Sequence, residues 1–199
     1  MKRLINSLLF VALILINTNS FSYDSNPKAF IFELVQDAIK TLGDKNISKA
    51  DKEKKIESIA IDNVDINALS MYTLGEKRKQ LDQETLSKYK KLFTGYFLKS
   101  LTSRLMDYTK NEFEIIGADQ RNEVYTIVNS KIAESSSQPE IKIDWRVYTK
   151  DPTKPLIRDL IVEGLSLAKT QKEEFASILN SNNNDINVLF EKLEEFISN

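Results

Sequence analysis

The residues able to do chemistry are few, and the missing types decide more than those present. Neither histidine nor cysteine occurs among the 199 residues. Their absence removes the usual general base, the thiol nucleophile, the Ser-His-Asp arrangement and nearly every zinc or transition-metal site. Carboxylates and arginines remain. Arg146, Asp159 and Glu163 fall on or beside two apolar runs close in sequence, and two acids with one arginine next to a strand read as a structural ion-pair set ahead of a catalytic group. Asn180, Asn182, Asn184 and Glu191 occupy the first, third, fifth and twelfth places of a calcium-loop spacing. The sixth place holds Asp185 instead of glycine, and the first three ligands would carry no charge. Asp185 as the cap of a final helix through Leu189, Leu193 and Phe196 accounts for the same residues. No metal, no cofactor and no catalytic residue is expected, and the chain reads as a binding protein and not an enzyme.

Such a protein works through apolar surface, and the pattern of elements says where that surface lies. Leu156 to Val162 is an aliphatic run that ends at Gly164, after which Thr170-Gln-Lys-Glu173 has the reciprocal capping pattern of a helix start. Strand, glycine corner and helix are predicted there, with Phe175, Ile178 and Leu179 on the helix's apolar face. Upstream, Glu112 to Ile116, Glu123 to Ile132 and Glu140 to Tyr148 read as three more strands, separated by the turn-rich links 117–122, 135–139 and 151–155. Short links imply an antiparallel meander. In the third strand Ile141, Ile143, Trp145 and Val147 point one way, and Lys142, Asp144, Arg146 and Tyr148 the other.

Helices come before the sheet. Pro27 opens one that carries Phe30, Ile31, Leu34, Val35, Ala38, Ile39 and Leu42 at helical spacing and stops at Gly43. Lys45 to Lys55 reads as a charged connector into a short helix around Ile56, Ile59 and Ala60, and Asp65 to Gly75 as another short helix. Asp82 caps the longest element, with Leu81 and Leu86 at staple spacing. Leu86, Tyr89, Phe93, Tyr96, Phe97, Leu101, Leu105 and Tyr108 then follow a helical pattern. Gly95 interrupts it at about 1 kcal/mol relative to alanine, so either another backbone approaches there or space is left for a ligand. The aromatics serve either a dry core or a cavity wall. The fold class is α+β: a single domain with a four-stranded antiparallel sheet covered by helices.

Residues 1–22 stand apart. Lys2 and Arg3 precede an apolar stretch from Leu4 to Ile16, and Ser20-Phe-Ser22 is a small-x-small cleavage site, the pattern of a secretory signal peptide removed near Ser22. The apolar core is nearer a dozen residues than the roughly 20 of a spanning helix. The mature domain is then 23–199. The leader takes two basic residues and no acid from a chain of net charge −1, and the remaining negative balance, without a basic stripe, argues against nucleic-acid binding.

Val64-Asp-Ile-Asn-Ala-Leu-Ser-Met-Tyr-Thr-Leu-Gly75, the aromatic helix with Phe93 and Tyr96, Asp144-Trp-Arg146, and Asp159-Leu-Ile-Val-Glu-Gly-Leu-Ser166 followed by Phe175 together resemble the MlaC, or toluene-tolerance, family across the mature chain. Where that family carries an aromatic and an arginine shortly after the Leu-Gly pair this chain has Glu76-Lys-Arg78, and Lys172 stands in place of an arginine. The resemblance implies a soluble periplasmic phospholipid carrier that takes lipid between an outer-membrane lipoprotein–porin complex and an inner-membrane ABC transporter with an MCE-type lipid-binding subunit, and so maintains outer-membrane lipid asymmetry.

Energetics fit such a role. Burial is worth about 0.8 kcal/mol per CH₂, hence roughly 13 kcal/mol for a chain of about 16 carbons. A lipid in transit therefore needs an enclosed apolar cavity, while its charged head can stay in solvent. The residues expected to line it are Tyr72 and Leu74 from the short helix, Phe93, Phe97 and Leu101 from the long one, Ile141, Ile143, Trp145 and Val147 from the sheet, and Val162 and Leu165 at the corner, each of which is otherwise ordinary core. Gly164 is the hinge if the pocket opens. Two other classes stay open. A periplasmic enzyme needs convergent carboxylates lining the cavity, whereas Asp159 has the opposite parity to Leu160 and Val162. A chaperone, or a binding module for other hydrophobic small molecules or peptides, would use the same apolar face as an exposed groove.

Overall fold

The computed structural model describes residues 23–106, 112–134 and 139–199. The signal peptide expected over 1–22, Tyr108 at the end of the aromatic pattern and most of the 135–139 link fall outside them.

Helix α1, Pro27–Gly43, begins where the Asn26 side chain accepts hydrogen bonds from the Lys28 and Ala29 amides, and it buries Phe30, Ile31, Leu34 and Leu42. Helix α2 spans Lys49–Asn63, so most of the expected charged connector is helical. Ser48 caps it by accepting from the Asp51 amide at 3.1 Å and donating to the Asp51 carboxylate at 2.7 Å. Lysine and glutamate are good helix formers, and charge alone does not end a helix. Helix α3, Ile66–Thr73, is capped by Asp65, and a 3₁₀ turn over Gly75–Gln80 follows, which the sequence reading lacks. Helix α4 runs Gln83–Leu105 from its Asp82 cap. At Gly95 neither a backbone nor a ligand space is found: a Cβ there would lie 3.0 Å from Ile197 Cδ1. The glycine makes room for a side chain of the last helix, α6, Ile186–Ser198.

The sheet has five strands instead of four, ordered β1-β2-β3-β4-β5 and antiparallel throughout. They are β1 Phe113–Asn122, β2 Tyr125–Ile132, β3 Ile141–Tyr148, β4 Leu156–Val162 and β5 Leu165–Ser166. Strand β1 continues through the residues read as a loop. Its register with β2 shifts between Ile115 and Gly117 and again between Gln120 and Asn122, and each extra residue breaks the alternation on which a strand assignment depends. Glu163 and Gly164 both have positive φ, 50° and 81°, the backbone of a two-residue hairpin turn. The chain therefore folds back as β5 before it becomes helical. Ser166, not Thr170, caps α5, Leu167–Asn180, its hydroxyl accepting from the Lys169 amide at 3.0 Å, while the Thr170 hydroxyl donates to the Ser166 carbonyl. The corner at Gly164 is thus a hairpin tip.

The interior divides in two. One core gathers Ile66, Leu69, Leu74, Leu86, Tyr89, Phe93, Phe175, Leu179, Leu189, Phe190 and Leu193 from α3, α4, α5 and α6. The other joins Phe30, Ile31 and Leu34 of α1 to Val128, Val147 and Ile157 of the sheet. Val64 packs against both, held by a parallel bridge to Ile157. Helix α4 packs chiefly on α6, α3 and α2, with no strand among its main neighbours.

Candidate functional site

Cross-strand pairing sets out the apolar face of the sheet. Val128 pairs with Trp145 and Trp145 with Leu160; Ser130 pairs with Ile143 and Ile143 with Val162. These residues share one face, as the alternation of β3 implies. Trp145 is fixed there: its indole N–H donates to Ser130 Oγ at 2.9 Å, and that hydroxyl donates to the Ile143 carbonyl at 2.8 Å. Phe113 meets the indole edge-on at 6.3 Å. Within α4, Phe93 stacks on Phe97 at 6.3 Å and meets Phe175 edge-on at 6.4 Å.

The eleven residues expected to line a cavity separate into three groups. Leu74 and Phe93 are buried in the helical core with Phe97 packed against it, and Val147 is fully buried in the sheet core with Trp145 packed against it. Leu101, Ile141, Ile143 and Val162 are half-buried and belong to neither core. Tyr72 and Leu165 are exposed, at 42% and 68%. Leu98 of α4 and Leu160 of β4 are half-buried apolar residues packed against one core each, absent from the expected set although Leu160 has the same parity as Val162.

Among the open concavities of the described residues, two stand out. The larger, about 500 Å³, is lined by Arg121, Asn122, Tyr125, Ile127, Asp144, Arg146 and Ile161 on the face of the sheet opposite Trp145. The other, about 440 Å³, lies between α1 and the start of β1, beside Gln36, Ile39 and Phe113. Neither of these two is lined by any of the eleven.

On the polar face Asp159 is buried beside Arg146, whose Nη1 lies 3.7 Å from its Oδ2. Its carboxylate accepts from the Ser166 hydroxyl at 2.7 Å and the Ala168 amide at 3.0 Å, and so fixes the entry to α5. Glu163 stands apart and accepts from the Lys142 amide. A stronger arginine, which the sequence reading passes over, is Arg158. Its guanidinium reaches Asp65 and the Tyr125 hydroxyl and lies 3.3 Å from the Tyr148 ring centroid. Burial works against its charge, but the hydrogen bonds to Tyr125 and Asp65 outweigh that and hold its pKa above the ordinary value. No group of three or more acidic side chains suited to a metal ion occurs among the described residues, and none of their helices is long and apolar enough to cross a membrane.

The sequence matches the family described as MlaC protein over residues 33–195. No curated protein matches it. Among solved structures, the phospholipid-binding protein from Ralstonia solanacearum, determined in complex with a phospholipid, is similar in fold, with a TM-score of 0.71 at 16% identity over 86% of this chain and 96% of that one.

Proposed function

The chain belongs to the MlaC family, and from that membership we propose that it is a phospholipid carrier of the periplasm. In this reading residues 1–22 direct export and are removed near Ser22, and 23–199 form the working domain. The carrier moves lipid between an outer-membrane lipoprotein–porin complex and an inner-membrane ABC transporter with an MCE-type subunit, which maintains outer-membrane lipid asymmetry. No residue is assigned a catalytic role.

The observation that carries this reading is the division of the interior. Among the described residues the two apolar cores share Val64 alone of their packed side chains, while Leu101, Ile141, Ile143 and Val162 stay half-buried and join neither. A protein of this size gains by merging such surfaces, since each Å² of apolar area left wet forgoes about 25 cal/mol. Surface left available in this way suits an apolar guest. Acyl chains enter between α4 and the Trp145 face of the sheet, parting the two cores as they do so. Phe93, Phe97 and Leu101 form one wall and Ile141, Ile143, Trp145, Val147 and Val162 the other, with Leu74 at the base and Tyr72 and Leu165 toward solvent. The similar fold of the Ralstonia protein, determined with a phospholipid bound, supports the proposal.

The test is transfer of a fluorescent phospholipid from donor to acceptor vesicles separated by a membrane permeable to protein but not to vesicles. Catalytic amounts of protein are expected to accelerate transfer. A rate equal to the protein-free control removes the carrier reading.

A further inference from the structure

The 3₁₀ turn after α3 carries Lys77, Arg78 and Lys79 in succession, with Glu76 as the single acid of its six residues. Helix α5 adds a fourth cation. Lys172 Nζ sits 5.1 Å from the Tyr72 ring centroid, and its Cε lies 3.2 Å from where a Cβ on Gly75 would be. Lys79 pairs with Glu76 at 2.6 Å. The other three cations meet neutral groups: Lys77 the Gln80 side-chain amide oxygen, Arg78 the Met71 backbone carbonyl at 3.0 Å, and Lys172 the tyrosine ring. Lys79, then Arg78 and Lys172, hold the Glu76 carboxyl below its usual range, so these three act on one point of the turn. A chain that is net negative thus gathers surplus positive charge around an exposed tyrosine. Leu165 and Leu167, 68% and 41% exposed, stand at the entry to the helix that carries Lys172.

We propose that this patch, formed by Tyr72, Lys77, Arg78, Lys79 and Lys172, docks the protein on an anionic lipid bilayer. Three of its four cations are lysines, compact point charges without the planar fork that suits arginine to the carboxylates of a protein partner. Lysines spaced around a short helical turn fit a surface of many phosphates in no fixed register. Tyrosine is the side chain that settles at headgroup level. Each basic residue near an anionic leaflet strengthens binding about fivefold, so the surplus supports reversible contact, as a lipid-handling protein requires. Where the protein lands is in this way independent of what it carries.

The test is co-sedimentation of the full-length mature protein with vesicles of phosphatidylcholine alone and of phosphatidylcholine mixed equally with phosphatidylglycerol. Binding is expected only to the mixed vesicles and is lost as salt is raised. The triple variant Lys77→Ala, Lys79→Ala, Lys172→Ala is expected to bind them more than tenfold more weakly, with its retained phospholipid and thermal midpoint unchanged. Equal binding to both vesicle types, or full binding by the triple variant, overturns the proposal. So does a variant that delivers lipid poorly yet still binds vesicles, because that result places a protein partner on the patch. Loss of retained phospholipid from the native protein would instead count against the carrier reading and leave this one standing.

Discussion

Arg158 Nε and Nη2 both lie 2.8 Å from the same oxygen of Asp65. Asp65 caps α3, its other oxygen accepting from the Ala68 amide at 3.0 Å, and its own amide donates to the Ile157 carbonyl at 2.9 Å. Arg158 sits on β4 between Tyr125 and Tyr148. The pair therefore ties the start of the helical layer to the sheet at the point where Val64 joins the two cores.

Removing this tie is costly, because the arginine and aspartate side chains are only 25% and 16% exposed and a half-buried acid is left without its partner. Arg158→Ala is expected to lower unfolding free energy by about 2 to 3 kcal/mol, read by urea titration. Arg158→Lys is expected to recover less than half of the loss, since an ammonium cannot serve Asp65, the Tyr125 hydroxyl and the Tyr148 ring together. Full recovery by lysine would show that charge alone is at work.

The Thr73 hydroxyl donates to the Leu69 and Ser70 carbonyls at 3.0 Å, so the Tyr89 hydroxyl, 2.9 Å away, donates to it. Tyr89→Phe strips a buried acceptor of its partner and is expected to cost about 1 kcal/mol at neutral pH. Burial raises the Tyr89 pKa well above its ordinary value. The folded protein then holds this proton more tightly than the unfolded chain, whose tyrosines titrate near pH ~10. That contribution is intact below this pH and is lost as pH rises above it. The stability of the phenylalanine variant is expected to fall less steeply in that alkaline range, and a parallel fall would contradict the assignment.

Wall and core should respond differently to substitution. Val128 is fully buried between α1 and the sheet, and Val128→Ala is expected to cost about 1 to 3 kcal/mol by leaving a cavity. Leu101→Gln and Ile143→Gln alter half-buried side chains outside both cores. They are expected to lower phospholipid retention severalfold with smaller losses of stability. Equal retention in native and glutamine variants would move the acyl chains elsewhere.

Gly95 and Ile197 should couple. In the native background Gly95→Ala gains about 1 kcal/mol of helix propensity but pushes on Ile197 Cδ1 at 3.0 Å, so the net effect is small. In an Ile197→Ala background the same change is expected to be stabilising by close to the full propensity gain. Additive effects across the double-mutant cycle would contradict the contact.

Much of this architecture is legible in the chain, because capping and alternation are local. Asp82 and Asp185 each cap the helix expected to follow them, and the two faces of β3 follow from parity. The misses share a cause. Strand β1 loses its alternation at two register shifts, and β5 is two residues long, so neither carries a usable period. Ser166 wins over Thr170 as a cap because Asp159, seven residues upstream, anchors its hydroxyl, a contact that only the hairpin turn brings about. The role of Gly95 rests on Ile197, far along the chain. The candidate site is less legible still: parity groups Ile141, Ile143, Trp145 and Val147, but whether each is core or wall depends on where α1 and α4 settle, which no local pattern records.

The most direct measurement is mass spectrometry of the organic extract of gently purified protein. Phospholipid at about one molecule per chain is the predicted result, with the lipid reduced in Leu101→Gln and Ile143→Gln. Protein that arrives free of phospholipid, or that brings apolar peptides in its place, would contradict the account.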